Sequence, residues 1–195
     1  MSGNAWSDLL LALVTLPLAW RLRAGRPGVA GAFILIGLAA VFGVLRYSGI
    51  DMALGPHRFF SLVAACSGLP MLAVSRCWPN GEVASRGAAA GRFGVLAAGI
   101  GVLLVGIVGF TLWSDVVAAA SALLIVWAAV PACRALPLLA GWLLVVSFMA
   151  SATGIAFAPF TAVQELHILM AISLALIGWE ELRGATGGRA VKQVV

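Results

Sequence analysis

Apolar residues run along this chain in long, nearly unbroken blocks, and the polar positions fall between the blocks. This is neither the one-sided stripe of a surface helix nor the two-residue alternation of a barrel strand. A helix needs about 20 mostly apolar residues to cross a hydrocarbon core of roughly 30 Å. Seven segments meet or approach that length: 6–20, 28–45, 57–75, 93–113, 116–130, 138–157 and 160–179. The first and fifth are short, which calls for a slightly longer helix or a locally thinner bilayer. Helices are expected because a spanning segment in lipid must satisfy its own backbone hydrogen bonds. The pattern predicts an all-α polytopic membrane protein. It is read as one compact seven-helix transmembrane domain over 1–184, followed by a short basic tail over 185–195.

The connectors carry the expected breakers. Pro27 closes the first and Pro56 the second, and Pro79 with Gly81 opens the longest. Ser114 or Asp115 is expected to cap the fifth span, and Ala158 with Pro159 to divide the sixth from the seventh. Small residues let spans approach each other closely in lipid, where apolar burial supplies no driving force. Gly94, Ala98, Gly101, Gly106 and Gly109 on the fourth span are read as such a packing face. So are Ala118 to Ala122 on the fifth, and Ser147, Ser151 and Gly154 on the sixth.

Composition removes the alternatives. Of 195 residues, 63% are hydrophobic and 10% charged. A soluble domain carries roughly 25% charged residues, and a disordered chain needs low hydrophobicity, so both classes are excluded. With seven spans the loops alternate sides. One side holds Arg21, Arg23, Arg26, Arg76, Arg86, Arg92, Arg134, Arg183, Arg189 and Lys192, and the other only Arg46 and Arg58. By the positive-inside rule the N-terminus is expected outside and the C-terminus in the cytoplasm, in a cell membrane such as a bacterial inner membrane. The net charge of +5 then reports topology, and no basic patch interleaved with aromatics points to nucleic acid. The first span has no basic region before it, unlike a cleaved signal. Cys66, Cys77 and Cys133 form no CxxC pair, so neither a disulfide framework nor thiol-redox chemistry is expected. No internal repeat appears, which weighs against an inverted-repeat carrier.

Against this background the rare polar residues carry the chemistry, because ionisable groups at membrane depth usually face the bundle interior. The outward half holds Arg46, Asp51, His57, Arg58, Asp115, Gln164, Glu165 and His167. Glu180 and Glu181, beside Arg183, read as an interfacial pair reaching the headgroups. The chain has two histidines. Helical spacing aligns His57 with Ser61, Ala64 and Gly68, and His167 with Gln164, Ala171, Leu174 and Gly178. Both faces are rich in small residues, so both imidazoles are expected to turn inward in one leaflet. Glu165, two residues from His167, points elsewhere. If the third span starts at Pro56, His57 lies near the interface and His167 deeper, so they meet only if the preceding segment dips or the helices tilt.

Three functional readings follow. The first is a metal-dependent hydrolase acting on a lipid-like substrate near the extracytoplasmic face. Asp51, His57 and His167 would ligate zinc, leave a position for water, and lower its pKa; Ser61 would donate to the oxyanion. The second is a b-type haem protein, with His57 and His167 as axial ligands and Arg46 or Arg58 neutralising the propionates. The third is non-catalytic: a subunit with membrane-protein partners, or a binder or carrier of a small-molecule ligand. In each, the lipid bilayer is the immediate partner. Seven spans with an outside N-terminus and inward His, Ser and Asp resemble, in architecture only, the superfamily of alkaline ceramidases and adiponectin-type receptors. That superfamily pairs histidines on its last span, where His167 here is followed one turn later by Ala171. Its ceramidases also set their site towards the cytosol.

Overall fold

The structure, a computed structural model, describes residues 2–132 and 134–192. Cys133 and residues 193–195 of the predicted tail lie outside the described residues. Among the described residues, seven helices are long and apolar enough to cross a membrane: α1 (Gly3–Leu22), α2 (Pro27–Tyr47), α3 (Asp51–Cys77), α4 (Gly87–Ile107), α5 (Leu112–Ala129), α6 (Ala135–Thr153) and α7 (Ala162–Gly184). This is the architecture of a multi-pass membrane protein. The backbone of α7 continues as helix to Lys192, so most of the predicted tail is a helical extension.

The spans differ from the apolar blocks at their ends, for local reasons. Ser2 caps α1, its hydroxyl accepting from the Ala5 amide, which starts the helix three residues before the apolar block. A four-residue helix, Glu82–Ser85, precedes α4. The predicted fourth span shifts by six residues, to Gly87–Ile107. Gly109 has φ +78°, and this left-handed residue ends the run, so Phe110 belongs to the turn. Ser114 and Asp115 do not cap α5. The cap is Thr111, and the Ser114 hydroxyl donates back to the Thr111 carbonyl at 3.0 Å. Gly154, at φ +67°, ends α6 four residues short of the predicted boundary.

Neighbour relations give the helix order. Helices α1, α2, α3, α5, α6 and α7 form a closed ring, each packed on the next, with α7 returning to α1. Helix α4 lies outside this ring, against α3 and α2. Its window is 11% buried, against 33–56% for the other six. The packing face expected of α4 therefore forms only in part: the Gly94 carbonyl accepts from the Ser67 hydroxyl at 2.9 Å, and Gly94 also packs near Met71. Gly101 is buried against Cys66, but Gly106 is exposed and Gly109 lies past the helix. On α6, Ser147 is buried, while Ser151 and Gly154 are exposed.

Helix α3 carries one wider turn, Ala64–Gly68, in which hydrogen bonds skip five residues. Such turns shift the register of everything beyond them. His57, Ser61, Ala64 and Ala65 face one cavity, while Gly68 turns to Ala32 and Leu35 of α2. The alignment of Gly68 with His57 expected from regular spacing is thus broken.

Candidate functional site

At one end of the ring, α1, α2, α3, α6 and α7 enclose a cavity of about 250 Å³. Its polar lining is Asp8, Tyr47, His57, Ser61 and His167; Ala39, Ala40 and Phe148 are among its apolar walls. Both histidines reach it because α3 starts at Asp51, six residues before His57, rather than at His57 itself. At 1.5 Å per residue, that lowers His57 by about 9 Å from the helix start. The two imidazoles thus line one cavity despite the offset expected from the shorter span.

Each imidazole is anchored through Nδ1. His167 Nδ1 lies 3.1 Å from Asp8 Oδ1, and Ser7 Oγ lies 3.4 Å from the same nitrogen. The Ser7 hydroxyl donates to the Asn4 carbonyl at 2.9 Å, so towards His167 it can only accept. With Asp8 ionised, both neighbours are acceptors, and Nδ1 carries the proton. His57 Nδ1 donates to the Ala39 carbonyl at 3.2 Å. In both rings Nε2 is then the nitrogen left with a lone pair. Tyr47 stands edge-on to His57 with centroids 5.8 Å apart, and the Arg46 guanidinium lies 4.8 Å from the Tyr47 ring centre.

Asp8 is 1% exposed, yet its Oδ2 has no hydrogen-bond partner among the described residues. Its carboxyl group packs on Gly43 of α2, where a Cβ would lie 2.6 Å from Asp8 Cγ. Sequence reasoning missed Asp8, although the signal was present. It is an acidic residue inside an apolar block, and it shares a helix face with Ala5, Leu11, Ala12, Thr15 and Ala19, all buried. Tyr47, at the end of α2, lies beyond the second apolar block, so the hydrophobic pattern does not mark it.

Of the residues singled out from sequence, His57, His167 and Ser61 share the cavity. Asp51 does not. It is exposed in the first turn of α3 and lines neither this cavity nor the one beside it. Among the described residues, no group of three or more His, Cys, Asp and Glu side chains is placed to hold a metal ion. The zinc set of Asp51, His57 and His167 is therefore not assembled, because the start of α3 keeps Asp51 a turn and a half from His57. Arg46 and Arg58 line an adjoining vestibule of about 440 Å³, which shares His57, Ser61 and Phe148 with the inner cavity. Glu165 is buried but turned away, accepting from the Phe157 amide at 3.0 Å.

The opposite end of the bundle holds a second polar cluster. Arg26 Nε lies 2.7 Å from Glu181, Arg76 bridges Glu180 at 2.6 Å and Glu181 at 2.8 Å, and Arg134 reaches Glu180 at 3.3 Å. Glu180 and Glu181, 16% and 8% exposed, thus turn to guanidinium groups of the bundle rather than reaching the headgroups as expected, and the Arg183 guanidinium lies 4.9 Å from the Trp179 ring centre. Compared with family models, curated proteins and solved structures, the chain matches none.

Proposed function

We propose that this chain is a membrane-embedded hydrolase acting on an ester or amide bond of a lipid-like substrate, with the Asp8–His167 pair as its general base. The observation that carries the reading is the contact between a buried carboxylate and a cavity-lining imidazole across α1 and α7. A carboxylate accepting from Nδ1 fixes the tautomer of the ring, leaves Nε2 to take a proton, and stabilises the imidazolium that forms. In the proposed step, His167 Nε2 takes a proton from water as the water oxygen bonds to the carbonyl carbon. The bond to the leaving oxygen or nitrogen then breaks, and that atom takes the proton from His167. The Ser61 hydroxyl has no protein partner among the described residues and is available to donate to the oxyanion. The bias of ten basic residues to two supports an outside N-terminus and a cell-membrane location, which sets the cavity towards the extracytoplasmic face.

The test is turnover by the purified full-length protein of a defined panel of acylglycerols, lysophospholipids, phospholipids and ceramides, read by mass spectrometry. Release of a free acyl chain that is lost in His167→Ala supports the reading. A folded protein that turns over none of the panel overturns it.

A second reading, haem b binding, is favoured by one observation. Both imidazoles are tied through Nδ1 to an oxygen acceptor, the posture that orients ligating histidines. The inner cavity alone, about 250 Å³, falls below the about 300–1,000 Å³ of small-molecule pockets, so a macrocycle would have to extend into the adjoining vestibule. A Soret band in the purified protein, lost in either His57→Ala or His167→Ala, would select it.

A further inference from the structure

The inner cavity does not stand alone. The vestibule beside it shares Asp115, Phe148 and Ser151 with a third space, an apolar groove of about 660 Å³ between α5 and α6. Phe148 lines all three. The groove follows α5 from Asp115 to Leu123, a rise of about 12 Å at 1.5 Å per residue. Its other residues are almost all apolar, including Ala119, Val145 and Met149. A second apolar groove, lined by Gly31, Met71 and Gly94, shares no residue with the vestibule. Of these two apolar grooves, the one between α5 and α6 therefore gives an acyl chain a continuous path to the histidines, and the other does not.

The vestibule supplies the other half of an amphiphile site. Arg46 and Arg58 both line it, and neither forms an ion pair among the described residues. Asp115 is its one acidic lining residue, so two guanidinium groups face one carboxylate. Guanidinium groups at a membrane interface suit phosphate oxygens, which they bind with paired donors.

We propose that the vestibule and the α5–α6 groove bind one single-chain phospholipid. Arg46 and Arg58 hold its phosphate, the acyl chain lies along the groove, and Phe148 forms the gate between groove and histidines. This arrangement sets the linkage between headgroup and chain at the wall shared by vestibule and cavity, beside His57 and Ser61. The inference rests on the hydrolase reading for its chemistry, but the binding site is testable without turnover.

The experiment uses the full-length protein in phosphatidylcholine nanodiscs, with 1-oleoyl-lysophosphatidate as probe. 1-Oleoylglycerol is the phosphate-free control, and inorganic phosphate the chain-free one. The wild-type chain is expected to bind lysophosphatidate at least tenfold more tightly than oleoylglycerol, and inorganic phosphate far more weakly than either. Arg46→Gln with Arg58→Gln should abolish the preference, and Arg46→Lys with Arg58→Lys should restore part of it in a chain of unchanged charge. Phe148→Trp should weaken both lipids, while Phe148→Leu retains them. Equal affinity for the two lipids, insensitivity to the paired arginine change, or phosphate binding as tight as the lipid would overturn the site. Asp8→Asn separates the two ideas, since binding should survive it and turnover should not. Arginine- and Phe148-dependent binding with no turnover by the wild type would sink the hydrolase reading alone. Turnover indifferent to these three residues would sink the lipid site alone.

Discussion

The two ends of the bundle both place charged groups at the edge of an apolar protein, and they handle them in opposite ways. At the end holding Arg26, Arg76, Glu180 and Glu181, each carboxylate meets at least one guanidinium within 2.8 Å. Arg26 also donates to the carbonyls of Pro79 and Ser75, at 2.7 and 3.2 Å, tying α2 to the end of α3. At the histidine end, Asp8 keeps one oxygen unpartnered, and two imidazoles keep Nε2 for whatever enters the cavity. Polar groups in low dielectric gain strongly when satisfied and cost heavily when not. The Arg–Glu cluster pairs its charges with one another and so holds helices together, although Arg26 Nε, Arg76 Nε and Ser75 Oγ lack a hydrogen-bond partner among the described residues. The histidine end instead leaves acceptors open beside a cavity, where a ligand or a proton could use them. The difference lies in available partners, because both ends contain buried acids.

The sharpest way to break the comparison is Asp8→Asn. The amide keeps the shape of the carboxyl group but cannot hold His167 as an anion does. Turnover should fall by about 10²–10⁴-fold, with little change in the thermal transition. An unchanged rate would move Asp8 to the structural side of the comparison. Arg76→Ala at the other end should do the reverse. It leaves Glu181 to Arg26 alone and Glu180 to the 3.3 Å reach of the exposed Arg134. With the two acids only 8% and 16% exposed, the cost should fall at the lower end of that of a broken buried pair, about 3–5 kcal/mol. Thermal unfolding of the detergent-solubilised protein reads this as a large loss, while any surviving folded protein keeps its lipid specificity.

Gly43→Ala tests whether α2 makes room for the carboxyl group. The added methyl overlaps Asp8, so a cost of about 1–3 kcal/mol is expected together with reduced turnover. Stability lost without any effect on rate would show that Asp8 can shift freely. The smallest effect belongs to Arg134→Ala. Its side chain is 67% exposed, and its contact with Glu180 is the longest of the network. A change within about 1 kcal/mol is expected, since solvent screens such pairs. A larger loss would mean that the network extends to the tip of the α5–α6 connection.

Much of the architecture was legible in one dimension. The number of spans follows from counting apolar residues against a bilayer's thickness, and the α4–α5 and α6–α7 breaks coincide with glycines that adopt left-handed backbone. The site was legible only in part. His57, Ser61 and His167 stood out as rare polar residues on small-residue faces, and they line one cavity. Asp51 also stood out and does not join them, because a charge next to a span looks the same in sequence whether the helix starts before or after it. Asp8 was the converse: visible in its block but paired with a residue on the last helix, which no local pattern announces.

The chain's own residues determined seven crossings, their boundaries to within a turn or two, and the asymmetry of charge between the two sides. These depend on hydrophobic length and local backbone preference, which are properties of contiguous segments. Only tertiary packing decided that six helices close a ring with α4 outside it. It likewise decided that Glu181 belongs to Arg26 and Arg76, and that Asp8 meets His167. Such pairings depend on which helix faces turn toward each other, and in lipid that choice rests on close packing and polar contacts between segments far apart in the chain.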